Sequence, residues 1–166
     1  MIREFWRGLA IWKNSMWFID EGGEYPYIFG SAHPSKFGMW LIKKWLDRIT
    51  VISLLDYQAN YSGATGISQF CFPIKDFEAP TLQQIKNVID VILDSDDPIV
   101  IHCEGGVGRT GTMAVAYWIS QGFTPLQALR EVRSRKPWAV ETDEQWASVV
   151  AYKKELRRAE KAGVKA

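Results

Sequence analysis

A cysteine and an arginine, with five residues between them, stand in the segment His102-Cys103-Glu104-Gly105-Gly106-Val107-Gly108-Arg109-Thr110-Gly111. An ionised thiol is a nucleophile, and a guanidinium offers a planar fork of N–H donors that fits two oxygens of a phosphate. Glycines let the backbone turn tightly and aim several N–H groups at one small volume. The flanks say how that volume is built. Pro98-Ile99-Val100-Ile101 is apolar and mostly β-branched, which predicts a buried strand. Thr110 to Gln121 lacks proline and carries Met113, Val115, Ala116, Tyr117 and Ile119, which predicts a helix. A nucleophile at a strand end, followed by a glycine-rich turn into a helix, faces loop N–H groups and the positive end of a helix dipole. Those donors favour a thiolate, so the Cys103 thiol is expected to be acidified. Thiolate and phosphate cradle in one loop imply phosphoryl transfer through cysteine. The plain alternative, a turn around a small buried cysteine, needs neither glycine cradle nor arginine.

These residues resemble the Cys-x5-Arg-Ser/Thr signature of the protein tyrosine phosphatase superfamily. Over about residues 14–145 the chain is similar to its compact, atypical (archaeal-type) dual-specificity members. The resemblance implies that Cys103 attacks phosphorus and forms a phosphocysteine. Arg109 and the backbone of Glu104, Gly105, Gly106, Val107 and Gly108 would then hold the phosphate oxygens. Thr110 would hydrogen-bond the sulfur and assist its departure, and His102 would orient the loop and tune the thiol. Neither a metal nor an organic cofactor is expected.

Two further segments extend the resemblance. Pro73-Ile74-Lys75-Asp76-Phe77-Glu78-Ala79-Pro80-Thr81 resembles the acid loop, which puts the proton donor for the leaving group at Asp76. That role asks for partial burial or a charged neighbour at the closed site, and Glu78 is the rival. An Asx-type turn is the purely structural reading of Asp76. Val140-Glu141-Thr142-Asp143-Glu144-Gln145 resembles a segment in which the glutamine or glutamate places the hydrolytic water, which makes Gln145 a catalytic candidate. The Thr142-x-x-Gln145 spacing is also that of a helix capping box, and both readings can hold at once.

The elements that must carry these residues alternate. Tyr25 to Phe29, Ile49 to Leu55 and Ile67 to Phe72 read as strands, with Pro73 ending the last. Ser35 reads as the N-cap of a helix over Lys36 to Asp47. Thr81 to Asp94 has Leu82, Ile85, Val88, Ile89 and Ile92 at helical spacing, and helices follow near Pro125 to Arg135 and Thr142 to Lys161. This pattern predicts an α/β fold: a central, mostly parallel sheet flanked by helices, with the signature loop between a strand and a helix. Cys71 is expected to pack in the core in preference to forming a redox pair with Cys103, and Trp118, Trp138 and Trp146 are expected in the core. His33 reads first as a turn residue with no catalytic task; a place at the border of the site is the second reading.

Composition bounds the rest. A chain of 166 residues, 47% hydrophobic and 13% aromatic, is expected to be a single globular domain over 1–166. The net charge of +1 gives no field to recruit nucleic acid or a membrane, and neither is expected as a partner. Met1 to Asp20 is broken by Arg3, Glu4, Arg7 and Lys13, so it does not read as a signal peptide or membrane span. A cytoplasmic monomer acting on phosphorylated proteins is the expectation. The chain shows no counterpart of the loop that deepens the pocket of larger tyrosine-specific domains, so a shallower site open to phosphoserine and phosphothreonine is also expected. No Lys or Arg lies among the five residues after Cys103, and Glu104 repels polyanions. Phosphoinositide, inositol phosphate or RNA 5′-triphosphate substrates are therefore the second reading. A non-catalytic phosphate-binding module and rhodanese-type sulfur transfer are the readings from other classes; the latter leaves Asp76 and Thr110 without work.

Overall fold

The structure, a computed structural model, describes residues 16–22, 26–58, 61 and 65–163, the side chains at 41, 43 and 45 excepted. Five strands form one sheet in the order β1-β2-β5-β3-β4. They are β1 (Met16–Asp20), β2 (Ile28–Ser31), β3 (Ile49–Ser53), β4 (Ile67–Cys71) and β5 (Ile99–His102). The four strands from β2 to β4 run parallel, and β1 adds an antiparallel edge to β2. The helices are α1 (Lys36–Trp45), α2 (Leu82–Asp94), α3 (Gly108–Ser120), α4 (Pro125–Arg135) and α5 (Asp143–Lys161).

Alternation along the central strands makes two cores. Ile52, Ile99 and Ile101 join Ile85, Val88, Ile89 and Ile92 of α2, Met113 and Tyr117 of α3, and Val149 and Tyr152 of α5. Ile49, Val51 and Val100 face the other way, onto Met39 and Ile42 of α1. Each fully buried aliphatic side chain contributes about 1.5–3 kcal/mol, so the sheet is fixed from both faces. The helix starts follow from local chemistry. Ser35 accepts Gly38 N–H, and Thr81 and Thr124 form complete capping boxes with Gln84 and Gln127.

Some expectations change. Cys71 is exposed: β4 is an edge strand, and its side chains see solvent that a central strand would exclude. Trp138 is 81% exposed on the connection after α4, whereas Trp118 and Trp146 pack against the core as expected. The strand expected from Tyr25 begins at Ile28 and continues through Gly30 to Ser31; Tyr25 itself lies outside the described residues, as do residues 1–15. Gly30 suits a strand because a Cβ there would overlap the Trp17 indole of β1. Among the described residues no helix is long and apolar enough to cross a membrane.

Candidate active site

The site lies at the carboxyl ends of the parallel strands. Ser31, His102 and Ser53 are register partners across β2, β5 and β3, so these three strands finish level and the next residue, Cys103, leaves the sheet at its middle. The loop then turns through Gly106, at φ +69°, into α3. A Cβ on Gly106 would overlap Ala32 N and the Ser31 carbonyl group, so the loop presses on the end of β2 where only glycine fits. Trp17 Nε1 donates to Gly106 O at 3.3 Å, and His33 N donates to Glu104 O at 3.0 Å, fixing the loop from outside. Inside it, Gly106 N–H donates to Cys103 Sγ at 3.2 Å, and Cys103 is only 2% exposed.

Helix α3 starts at Gly108, two residues before the expected Thr110, which places Arg109 and Thr110 in its first turn. Both are buried. Arg109 Nη1 donates to Ile74 O at 2.8 Å and Nη2 to Asp76 Oδ1 at 2.7 Å. Arg109 Nε and Thr110 Oγ1 are buried without a hydrogen-bond partner among the described residues. The expected bond from Thr110 to the sulfur is therefore not made here. A buried polar atom left unpaired costs about 1–3 kcal/mol, so both atoms have donor capacity that a bound group could satisfy.

The acid loop reaches this centre from β4. Ile74 N donates to Leu54 O and Gln84 Nε2 to Pro73 O, so the loop is tied to β3 and to the start of α2. The structure separates the two acidic candidates. Asp76 is paired with Arg109, while Glu78 faces Lys75 at 3.6 Å on the surface. Asp76 also accepts Phe77 N–H, and Phe77 takes a left-handed φ of +60°.

A wall of rings stands beside the loop. His102 Nε2 meets Tyr61 Oη at 2.9 Å, and its Nδ1 lies 3.4 Å from Cys103 O. Burial, above all, pushes its pKa down to about 4, so the ring is neutral near pH 7. A neutral ring brings no positive charge to the loop. Burial raises the pKa of Tyr61 as well. His33 does border the site, its ring stacked on His102 at 5.4 Å. Tyr57 Oη donates to Glu104 Oε2 at 2.7 Å, a bond that raises the phenol pKa and holds the Glu104 carboxylate in place.

The connection from α4 to α5 closes the far side. Thr142 Oγ1 accepts Gln145 N–H, as the capping reading expects, but Gln145 Oε1 takes Glu141 N–H at 2.8 Å instead of the cap residue's own. Gln145 Nε2 donates to Glu78 O at 3.3 Å, and Thr142 Oγ1 also donates to Phe77 O at 3.4 Å. Gln145 is fully buried with its amide engaged at both ends, so the strut joins α5 to the acid loop. The amide keeps a second N–H and a second acceptor lone pair beyond the Glu141 and Glu78 bonds. Glu141 Oε2 fills the space where a Cβ on Gly108 would lie, and Ala139 packs on Gly111, whose added Cβ would come within 2.7 Å of Ala139 Cβ. Between them Val140 is buried at φ +63°, a conformation that costs a β-branched residue about 1–3 kcal/mol. Arg133 of α4 spans it, with Nε on Ala139 O at 3.0 Å and Nη2 on Val140 O at 3.2 Å. Charge-assisted bonds contribute about 1.5–3 kcal/mol each, enough to offset that strain.

The structure thus gathers Cys103, Arg109, Thr110, Asp76, Gln145 and His102 around one loop. Sequence reasoning missed Trp17, Tyr57, Tyr61 and Arg133. No motif signals them: Trp17, Tyr57 and Tyr61 act on residues distant in sequence, and Arg133 acts on main-chain carbonyls, which carry no sequence signal. Glu141 was visible in its motif but had no assigned position.

A buried thiol on a glycine turn, an arginine from the following helix and a facing acid loop define a cysteine-dependent phosphatase fold. Comparison agrees. Residues 43–123 match the family model described as "Polymorphic toxin system, DSP-PTPase phosphatase". Tk-PTP in its active form is 30% identical with a TM-score of 0.71, over 84% of this chain and 97% of that one. A probable protein tyrosine phosphatase type IVA B of Dictyostelium discoideum is 27% identical over 67% of this chain and 68% of its own length. An uncharacterized protein of Methanocaldococcus jannaschii is 33% identical over 52% of this chain, and the chain spans only 55% of that relative. The chain belongs to the protein tyrosine phosphatase superfamily, in its compact atypical dual-specificity branch.

Proposed function

We propose that the protein removes phosphate from phosphotyrosine, and also from phosphoserine or phosphothreonine, in protein substrates through a phosphocysteine intermediate. The observation that carries this reading is the buried Cys103 Sγ, bonded by Gly106 N–H, with Arg109 Nε and Thr110 Oγ1 buried and unpartnered in the first turn of the following helix. In the proposed first step Cys103 attacks phosphorus in line, and the loop N–H groups with Arg109 hold the equatorial oxygens. Asp76 protonates the departing oxygen, then takes a proton from the water that hydrolyses the intermediate. An arriving phosphate competes with Asp76 for Arg109 Nη2, so binding frees the carboxyl for the leaving group.

The substrate preference rests on charge. Glu104 follows the nucleophile and its carboxylate is held by Tyr57, while Arg109 is the only cation of the signature loop. This disfavours polyphosphates and favours a single phosphate on a protein. A monomer working in the cytoplasm, where thiols stay reduced, belongs to the same proposal.

The test is hydrolysis of aryl phosphates by wild type, Cys103→Ser and Asp76→Ala. Cys103→Ser is expected to be inactive, and turnover by it would sink the covalent route. Asp76→Ala is expected to lower kcat by about 10²–10³-fold and to flatten the pH limb of the acid. An unchanged profile moves the role elsewhere. Phosphotyrosine and phosphothreonine peptides should show higher kcat/KM than inositol polyphosphates or RNA 5′-triphosphate; the reverse order overturns the substrate class.

A further inference from the structure

We infer that Arg133 is a positioning residue for the acid loop, although it lies on α4 and touches neither the cradle nor Asp76. This rests on the phosphatase reading above. Arg133 forks across Ala139 O and Val140 O and thereby closes a tight corner around the left-handed Val140. Helix α4 supplies a firm base, since the preceding Val132 is 1% exposed in the core and Thr124 caps the other end.

What the corner fixes is the path of the next residues. Glu141 N–H is delivered to Gln145 Oε1, the other end of that amide to Glu78 O, and Thr142 Oγ1 to Phe77 O. Both acceptors in the acid loop lie within two residues of Asp76. The same corner sets Ala139 against Gly111 and Glu141 against Gly108, so one rigid connection gauges the distance from the first turn of α3 to the acid loop. A residue in extended or right-handed backbone at position 140 would send Glu141 elsewhere and release the strut. Arginine suits the task because its planar fork reaches two adjacent carbonyls at once, which a lysine ammonium on a flexible stem does not reproduce.

The consequence is specific. Slackening the corner acts first on the proton donor, because the nucleophile end of the cradle is held separately by Trp17, His33 and the close fit of Gly106 on the end of β2. Loss should therefore appear in kcat, and most where the leaving group needs a proton.

The experiment measures phenyl phosphate (poor leaving group) and p-nitrophenyl phosphate (good leaving group) with wild type, Arg133→Ala, Arg133→Lys and Arg133→Ala combined with Val140→Gly. Arg133→Ala is expected to lose about tenfold or more in kcat on phenyl phosphate and under about threefold on p-nitrophenyl phosphate, with KM for both little changed. Arg133→Lys should fall between. Glycine enters the left-handed region without strain, so the double variant should recover most of the phenyl phosphate rate. Circular dichroism and thermal melting establish that each variant is folded. Equal losses on the two substrates, a change confined to KM, or no recovery in a folded double variant would overturn the inference. An inactive wild type, or an active Cys103→Ser, would instead defeat the phosphatase reading itself.

Discussion

His102 sits at the end of β5 with no exposed surface, one ring nitrogen against Tyr61 and the other near the Cys103 carbonyl. Its pKa is about 4, down from the usual 6.5, chiefly because burial penalises the charged ring. The sign for stability follows from proton counting. Between pH 6.5 and 4 the unfolded chain holds a proton on this residue that the folded chain refuses, so stability falls as pH drops through that window and is level above it. A shift of this size corresponds to about 3 kcal/mol. Urea unfolding at pH 7, 5 and 4 checks it: wild type should lose stability toward acid. His102→Gln should begin lower at pH 7, having lost fitted contacts, yet show a shallower acid slope. Equal slopes would mean that folding leaves the His102 pKa where the unfolded chain has it. The site residues follow the same logic of legibility. Cys103 and Arg109 could be read in sequence from thiol and guanidinium chemistry across a glycine turn, whereas Asp76 comes only from the resemblance of its loop to the acid loop, with Glu78 as rival. Tyr61 and Tyr57 could not, since an aromatic residue in a loop has no signature until the chain brings it to His102 or Glu104.

The cradle loop, as an element, is shaped by its glycines unequally. Gly106 is left-handed and pressed on the Ser31–Ala32 backbone, whereas Gly105 has open space around its missing side chain. Gly106→Ala should therefore displace the N–H that bonds Cys103 Sγ and lower kcat by about tenfold or more. Gly105→Ala should stay within about twofold of wild type. Parallel assays on p-nitrophenyl phosphate with melting curves decide this; comparable losses in the two would show that the space at Gly106 does not set the loop. Elements were legible where periodicity and caps agree. The helix expected over Pro125 to Arg135 is found with those bounds, and Ser35 and Thr142 cap as expected, Thr142 without the reciprocal Gln145 bond. Strand β1 was not legible. Met16–Asp20 is short, and only pairing with β2 defines it. The burial of β4 was misjudged because an apolar run fits a central or an edge strand equally well, and sheet order is a tertiary property.

At the scale of the molecule, the sheet is shared by two cores, and the site is built on the strand ends that both cores hold. Val100 and Ile101 are neighbours on β5 and fully buried, yet Val100 faces α1 and Ile101 faces the α2–α3 side. If the described chain is one cooperative unit, damage on either face must be felt on both and at the loop that begins at Cys103. Ile101→Ala should cost about 2–5 kcal/mol and Val100→Ala somewhat less, each through lost burial and a residual cavity. Tryptophan fluorescence and far-ultraviolet circular dichroism should report one coincident urea transition in wild type and in both variants, moved to lower urea. Inorganic phosphate, by binding the folded cradle alone, should raise every midpoint together. Two separated transitions, with phosphate moving only one of them, would divide the α1 face from the catalytic face and end the single-domain reading. A single transition that phosphate shifts in the Val100→Ala variant would tie α1, on the far side of the sheet, to the stability of the phosphate site.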